Sequence, residues 1–409
     1  NAYYSLLDPS KLRYDEFTRS DNKSNNSNFI SSIDYFHPFE KNYTLETGAK
    51  FTIRHNDNDF VNFMQQGTDL VPNPLVTNRF VYHEQVLGAY AQMGKGYKKW
   101  GYKIGLRVEE TFLNTDQVNS QIKTSRNYFS WFPSAFLSYN INDKNDIKLS
   151  YSKRINRPGF RQLNTFNSYN DPLNLRTGNP NLNPEYTHSL EFAYTYGNDK
   201  FSLSPTIFYR YTTGVISRYQ YIDPNGVAIS TFENFNNAHS AGFDINARMD
   251  FTKWLNLNLN GSVYYYRIDG TNKGSSLRNQ SLGGMGRATA SFKITKWMDA
   301  QATYGFWLMP ASPQGQPLAN HGLDLGLKAD FFKKKFSVNL GLQDVFNTRR
   351  FAVNGSDVNF VNDFYRKRES RILNLTLTWK FGKQEFTRRP KKGAGGGEGG
   401  GDIGGGEDW

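Results

Sequence analysis

The chain has 409 residues, a formal charge of +12 and no cysteine. The missing thiols exclude a disulfide scaffold and thiolate zinc sites, and they suit an oxidising compartment. Lysine and arginine are scattered along the chain rather than gathered into one helix or stripe, which argues against nucleic acid as a partner. Mean hydropathy is -0.68, and no stretch approaches the roughly 18 consecutive apolar residues of a membrane-spanning helix.

Apolar and polar residues instead alternate in strand-length pieces. Leu255, Leu257, Leu259, Val263 and Tyr265 fall on one side of a run, while Asn256, Asn258, Asn260, Ser262 and Tyr264 fall on the other. The rhythm returns at Leu323, Leu325 and Leu327, and again at Leu373, Leu375 and Leu377. A period of two marks a strand with one apolar and one polar face. In chain order the pattern predicts strands over 27–37, 42–55, 79–94, 97–112, 127–141, 145–157, 186–197 and 199–213. It continues over 235–251, 254–268, 279–295, 297–309, 321–333, 335–346 and 367–382. Many reach the roughly 9–11 residues that a tilted strand needs to cross a bilayer. Pro133 and Pro205 fall inside two of them and should mark bulges or strand ends, because proline donates nothing to a ladder.

The connections alternate in length. Short ones are predicted at 40–42, 94–96, 142–144, 197–199, 252–253, 295–296 and 333–335, where Gly, Asn, Asp and Lys favour tight turns. Long ones fall at 56–78, 113–126, 158–185, 214–234, 269–278, 310–320 and 347–366. The fold class is therefore all-β, an antiparallel transmembrane β-barrel with short periplasmic turns and long external loops. The 25 Tyr, 32 Phe and 7 Trp would supply its aromatic girdles.

Domain organisation follows from the same pattern. Residues 1–26 are expected to be an external loop or the end of a preceding strand, 27–382 the barrel portion, and 383–409 a disordered glycine-rich periplasmic tail. About fifteen strands starting outside do not make an even-numbered barrel with both ends in the periplasm. Upstream strands are thus expected, in a barrel of about 22 strands, the size associated with plugged transporters. The chain begins with Asn and shows no signal peptide, so its true start is expected to lie further upstream.

One segment is distinctive. Tyr151-Ser152-Lys153-Arg154-Ile155-Asn156-Arg157-Pro158-Gly159-Phe160 leads on to Gly178-Asn179-Pro180-Asn181-Leu182-Asn183-Pro184-Glu185-Tyr186. It resembles the "YSRRINRP…LNPF…GNPNLKPEYT" signature of the outer-membrane β-barrel family of TonB-dependent receptors, with Thr165 where that family often has Pro. Leu340-Gly341-Leu342-Gln343-Asp344-Val345-Phe346-Asn347 resembles the family's "NLFD" strand end, and "LNLTLTWKFG" its last strand. The residues carrying the signature are Arg154, Asn156, Arg157, Pro158, Gly178, Asn179, Pro180, Asn181, Pro184, Glu185 and Tyr186. Physically, each Asn-Pro pair forces an extended or turn conformation and would pin a long loop as it re-enters the strand starting at Tyr186.

Little points to catalysis. The histidines, His37, His55, His83, His188, His239 and His321, are scattered, and there is no nucleophile elbow or phosphate-binding loop. His55-Asn56-Asp57-Asn58-Asp59, placed in an external loop, offers hard oxygen ligands without the spacing of a calcium loop, and reads as a solvated turn. Asp171, Asp223 and Asp357 sit in other long loops. No metal, cofactor or enzymatic activity is expected. The long loops carry Phe166, Tyr169, Tyr219, Tyr221, Phe232, Phe235, Phe360 and Tyr365, which could face a ligand or pack on one another as a lid.

The resemblance implies a receptor for energised uptake of an unidentified ligand in the cell outer membrane of a Gram-negative bacterium. In the family an N-terminal plug fills the barrel and TonB is the energising partner; neither plug nor TonB box is visible in these residues. Outer-membrane lipid, lipopolysaccharide and a surface lipoprotein are the other partners considered. The rival is a non-transporting barrel that holds surface lipoproteins or other outer-membrane proteins; an outer-membrane hydrolase lacks an acid–base or nucleophile constellation.

Overall fold

The computed structural model describes residues 2–4, 12–15, 18–66, 68–74, 77–166, 174–274, 277–357 and 360–381. Fifteen long strands form an antiparallel meander. They are β1 Thr18–Pro38, β2 Tyr43–Gln66, β3 Asn78–Tyr97, β4 Trp100–Gln117, β5 Ile122–Asn142, β6 Asn145–Asn156, β7 Glu185–Gly197 and β8 Phe201–Ile222. The series continues with β9 Ala228–Asp250, β10 Leu255–Asp269, β11 Arg278–Lys293, β12 Met298–Leu308, β13 Asn320–Phe331, β14 Phe336–Gln343 and β15 Ile372–Trp379. The tail from 383 onward lies outside the described residues.

Each strand pairs with its sequence neighbours, including β6 with β7 across the long 157–184 connection. A residue-by-residue register runs through each consecutive pair from β1 to β15. All eight residues of β15 are exposed, and so is nearly every described residue of β1.

The two faces separate by parity. On β3, Asn78, Phe80, Tyr82, Glu84 and Val86 are buried, whereas Leu87 and Met93 on the opposite face are more than half exposed. Its neighbour β4 shows Ile104 and Leu106 outward, beside Met93 and Ala91, and Thr111 and Leu113 inward. An apolar face left open to the surroundings is the mark of a sheet solvated by lipid. At the short-turn end a belt of half-exposed Trp100, Trp254, Trp297 and Trp379 closes that face. The Trp100 and Tyr139 ring centres lie 4.5 Å apart at a tilt of 44°, and Trp297 lies 5.5 Å from Phe331. Amphipathic rings of this kind prefer the membrane–water boundary.

Several expected boundaries are corrected. The loop at 56–78 is largely strand, because β2 runs to Gln66 and Asp69–Pro72 pairs back on it. The region 113–126 is a tight hairpin between Gln117 and Ile122, and 214–234 is strand except around 223–227. Alternation of apolar residues ends where the lipid ends, but backbone pairing needs no apolar side chain and continues beyond it. The turn expected at 94–96 lies at Lys98–Lys99 instead, with Lys98 at φ +52°. Neither proline makes a bulge: Pro133 pairs with Leu106 and Pro205 with Ile245 in unbroken register. Each sits where the ladder on its other side lapses, so the missing N–H leaves no partner stranded. Within the meander, a register irregularity falls between Asn140 and Asn142.

Candidate functional site at the long-connection end

The signature segment folds back onto the inner wall. Leaving β6, the chain buries Pro158 and forms one short helix, α1 Phe160–Leu163, whose entry is fixed by Gly159 N–H donating to Gln162 Oε1 at 2.8 Å. Leu163 and Leu182, each 1% exposed, join Phe80 and Tyr82 of β3 and Leu113 of β4. Phe160, Ile216 of β8 and Phe232 of β9 pack against the same cluster. Two buried leucines contribute roughly 1.5–3 kcal/mol each to holding the segment there.

Its turn depends on a glycine. A Cβ on Gly178 would lie 2.4 Å from Asn164 O and 2.7 Å from Gln162 O, both backbone. Gly178 N–H donates to Asn164 O at 2.8 Å and Asn179 N–H to Gln162 O at 2.6 Å, so the two arms of the segment are stitched together. Asn179 Nδ2 donates to Phe232 O at 2.9 Å, and Asn181 N–H to Asn179 Oδ1 at 2.9 Å. Arg126 on β5 donates to Leu182 O at 2.6 Å and Asn183 Oδ1 at 3.1 Å. On the other flank Asn234 Nδ2 donates to Asn183 O at 2.9 Å. Glu185 accepts from Ile216 N–H and from Asn156 Nδ2, and the Tyr186 hydroxyl lies 2.9 Å from Ser130 Oγ. Pro180 needs no hydrogen-bond partner at nitrogen and sits in a turn that Leu182 N–H closes on Asn179 O at 3.4 Å.

Beneath this segment lies a row of alternating charge. Arg157 Nη2 is 2.5 Å from Glu109 Oε2 and donates to Thr111 Oγ1 at 3.0 Å; its Nε lies 3.9 Å from Glu84 Oε1. Arg54 reaches Glu84 at 3.2 Å and Arg107 reaches Glu109 at 2.5 Å. The Glu84 and Glu109 side chains are only 1% and 5% exposed, so each buried carboxylate is held between two guanidinium groups. Such a network fixes one arrangement strongly even where its net stabilisation is small. Arg154, also in the signature, is exposed.

A second anchor is the strand end resembling "NLFD". Asp344, fully buried, accepts from Thr348 N–H at 2.9 Å, Arg349 N–H at 3.0 Å and Ser370 Oγ at 2.5 Å. Burial opposes its charge, but these hydrogen bonds outweigh that and lower its pKa from 3.8 to about 2. Asp324 accepts from Asp344 N–H at 2.9 Å and pairs with Arg349 at 2.7 Å. From this hub rises a hairpin, Phe351–Asp357 with Phe360–Arg366, joined by Gly315–Pro317. Gln314 clamps it to β8, accepting from Gln220 N–H at 2.7 Å and donating to Gln220 O at 2.8 Å.

The aromatic candidates divide. Phe232 belongs to the cluster under the signature segment, and Phe166 lies 5.0 Å from Phe60. Tyr219 packs on a second cluster containing Phe235, Ile268 and Leu277. Tyr221 and Tyr365 are 40% and 62% exposed, and Phe360 opens the second strand of the hairpin. Tyr169 and Asp171 lie outside the described residues. Asp223 caps its own turn through the N–H groups of Asn225 and Val227, at 2.9 and 2.8 Å. The His55–Asp59 stretch is strand rather than loop, and Asp57 is engaged by Arg79 through contacts of 3.0 and 2.7 Å. Sequence reasoning missed Glu84, Glu109, Arg126 and Gln314. Parity alone would have placed Glu84 and Glu109 inward, where a charge demands a partner.

The fold and its lipid-solvated outer face define an outer-membrane barrel protein. The chain belongs to the outer membrane protein beta-barrel family, whose match covers residues 1–379. No curated protein matches it. Among solved structures it is similar to the ferric citrate transporter FecA in its unliganded form, with a TM-score of 0.62, 12% identity, and coverage of 90% of this chain and 56% of that one. The siderophore receptor PiuA from Acinetobacter baumannii gives 0.63 and 12% identity over 88% and 56% of the two chains. The ferric yersiniabactin uptake receptor FyuA from Yersinia pestis gives 0.56 and 11% identity over 89% and 55%. The chain thus spans a little over half the length of these structures.

Proposed function

We propose that this chain is the barrel portion of a TonB-dependent receptor that takes up an as yet unidentified ligand across the outer membrane. The observation that supports it best is the signature segment, which the charge row, Gly178 and two buried leucines hold against the inner wall at the long-connection end. That end is then extracellular, and the short turns with their tryptophan belt are periplasmic. Tyr221 and Tyr365, the most exposed of the aromatic candidates, meet the ligand first, with Phe166, Tyr219, Phe232 and Phe360 behind them. Tyr169 is proposed with them from its place in the same loop. TonB supplies the energy through a plug, as the family resemblance implies.

The absence of cysteine makes the test clean. Asn225→Cys, in the β8–β9 turn, and Asn198→Cys, in a short turn, are labelled with an impermeant maleimide in intact cells. Labelling of Asn225→Cys alone supports the orientation. The full-length protein is then assayed for retention on immobilised TonB and for uptake of a panel of ferric chelates with and without inner-membrane energisation. Failure to bind TonB, with uptake indifferent to energisation, would overturn the transport reading and leave a structural barrel that holds surface lipoproteins.

A further inference from the structure

Lysine is divided unevenly between the two ends of the sheet. The seven short turns hold 23 residues between them, and ten of these are lysine, with at least one in every turn. The long connections hold only Lys273 and Lys367. The acids of the short turns are Glu40, Asp143 and Asp199, so ten lysines against three acids give these turns +7 of the chain's formal +12. All ten lysines are exposed, and among the described residues none of them forms an ion pair.

Backbone bonds hold these turns at one level. Each turn from 98–99 onward accepts a hydrogen bond from the end of the strand after it: Asn140 N–H donates to Lys99 O at 2.8 Å, Gly197 N–H to Lys144 O at 2.9 Å and Asp250 N–H to Lys200 O at 2.7 Å. The series continues with Lys293 N–H to Trp254 O, Asp330 N–H to Trp297 O and Lys380 N–H to Lys335 O, at 2.7–2.8 Å. The lysines therefore form a crown just beyond the tryptophan belt, where Lys99, Lys253, Lys296 and Lys380 each adjoin a tryptophan. Lys41, Lys98, Lys333 and Lys334 stand at φ between +52° and +66°, a region that glycine or asparagine enters more easily. A charge kept at strained positions points to a use for that charge.

The acids beside the crown are already held by cations of their own strands. Lys148 lies 3.2 Å from Asp146, Arg248 3.4 Å from Asp250, and Lys328 3.3 Å from Asp330. The sequence supplies other acids at the same end. Beyond β15, the segment 393–409 holds ten glycines, Glu398, Asp402, Glu407 and Asp408, and no Lys or Arg. The turns nearest β15, at 332–335, 294–297 and 251–254, lie within about six strand spacings, or roughly 29 Å. They carry five lysines and no acid. The eleven residues 382–392 that join β15 to the acidic segment can span about 36 Å, enough to reach all three.

We infer that the acidic segment 393–409 folds back onto the lysine crown and docks on the turns of Lys253, Lys296 and Lys333–Lys335, as a strap along the rim of the short-turn mouth. Charge complementarity selects it, four carboxylates meeting five unpaired ammonium groups. Each exposed pair is weak by itself, but the tether holds the acids at an effective concentration of about millimolar. Glycine between the acids lets successive carboxylates turn toward separate lysines. Crown and segment share one end of the sheet whichever side of the membrane that is, so the inference depends neither on the orientation nor on the transport reading.

The test places the full-length protein in nanodiscs of zwitterionic lipid and joins carboxylates to amines with a zero-length carbodiimide at low salt, the products being mapped by mass spectrometry. Glu398, Asp402, Glu407 or Asp408 should be linked to Lys253, Lys296 or Lys333–Lys335 of the same molecule, and 1 M salt should cut the yield about tenfold by shortening the Debye length to about 3 Å. In a second measurement, acetylation of Lys333–Lys335 should run about threefold faster in E398Q/D402N/E407Q/D408N than in the wild type. Lys144 and Lys200, further from β15, should react equally in both. No links to the crown, links confined to Lys391 and Lys392 of the segment's own basic block, or links only between molecules would overturn the inference. So would equal acetylation of Lys333–Lys335 in the two proteins, or protection that appears only with anionic lipid and equally in both. The four substitutions lie beyond the last strand, so a fold preserved in the variant keeps the comparison sound.

Discussion

Arg157 Nη2 and Glu109 Oε2 lie 2.5 Å apart, joining the end of the sixth strand to the inner wall formed by the fourth. The sequence separates them by 48 residues. The pair adds a buried ion pair to the apolar cluster and to the Arg126, Asn179 and Asn234 hydrogen bonds that hold the signature segment to the wall. Arg157→Gln strands the buried Glu84 and Glu109 with less positive charge, and should destabilise the protein by about 3 kcal/mol. Denaturant unfolding in detergent measures this. Adding Glu109→Gln should recover part of the loss, giving a favourable coupling in the double-mutant cycle. Strictly additive losses would show that the two side chains do not interact.

Gly178→Ala should loosen the segment without touching the strands. Its new methyl meets two backbone oxygens that cannot turn aside, at a cost of about 1–3 kcal/mol. Hydrogen exchange over 158–166 and 177–184 should rise while that of the strands stays as in the wild type. Unchanged protection would mean that the turn relaxes freely.

The Asp344 hub should make the hairpin of Phe351–Asp357 and Phe360–Arg366 acid-sensitive. Its carboxyl, lowered from 3.8 to about 2, binds fewer protons folded than unfolded. Its contribution, about 1–2 kcal/mol, is therefore complete above pH 4 and is lost as the pH falls from about 4 through 2. Proteolysis of the 347–371 region should accelerate over that window. Asp344→Asn should be cleaved faster at neutral pH and should show little further change on acidification.

The assignment of faces predicts opposite outcomes for neighbouring residues. Leu259→Arg puts a charge near the middle of the lipid-facing stretch and should cost about 2–4 kcal/mol in folding into liposomes. Asn258→Arg, one residue away but inside, should cost less than about 1 kcal/mol. Equal costs would mean that the register of the tenth strand is wrong.

The fold was legible because lipid imposes a period of two on any strand that crosses it. Leu255, Leu257 and Leu259 announce the tenth strand whatever surrounds them, and so do Leu373, Leu375 and Leu377 the last. Beyond the lipid that constraint ends. The Phe201–Ile222 and Ala228–Asp250 hairpin extends well past its apolar stretch, and composition carries no mark of where its pairing stops. The turn at Lys98–Lys99 was hidden for a similar reason, since Gly94 and Gly96 are turn residues by type but sit in the strand.

The sequence by itself determined the antiparallel meander and the segment from Arg154 to Tyr186 as the distinctive element. Each rests on neighbours in the chain or on the periodic demand of a bilayer. Only the tertiary structure decided that Arg157 meets Glu84 and Glu109, that Arg126 and Asn234 flank the Asn-Pro turns, and that Gln314 clamps the last hairpin. Only the backbone bonds from each strand end to the turn before it brought the lysines of separate short turns to one level. Contacts between distant strands depend on shear and loop path, and no local pattern of residue types encodes either.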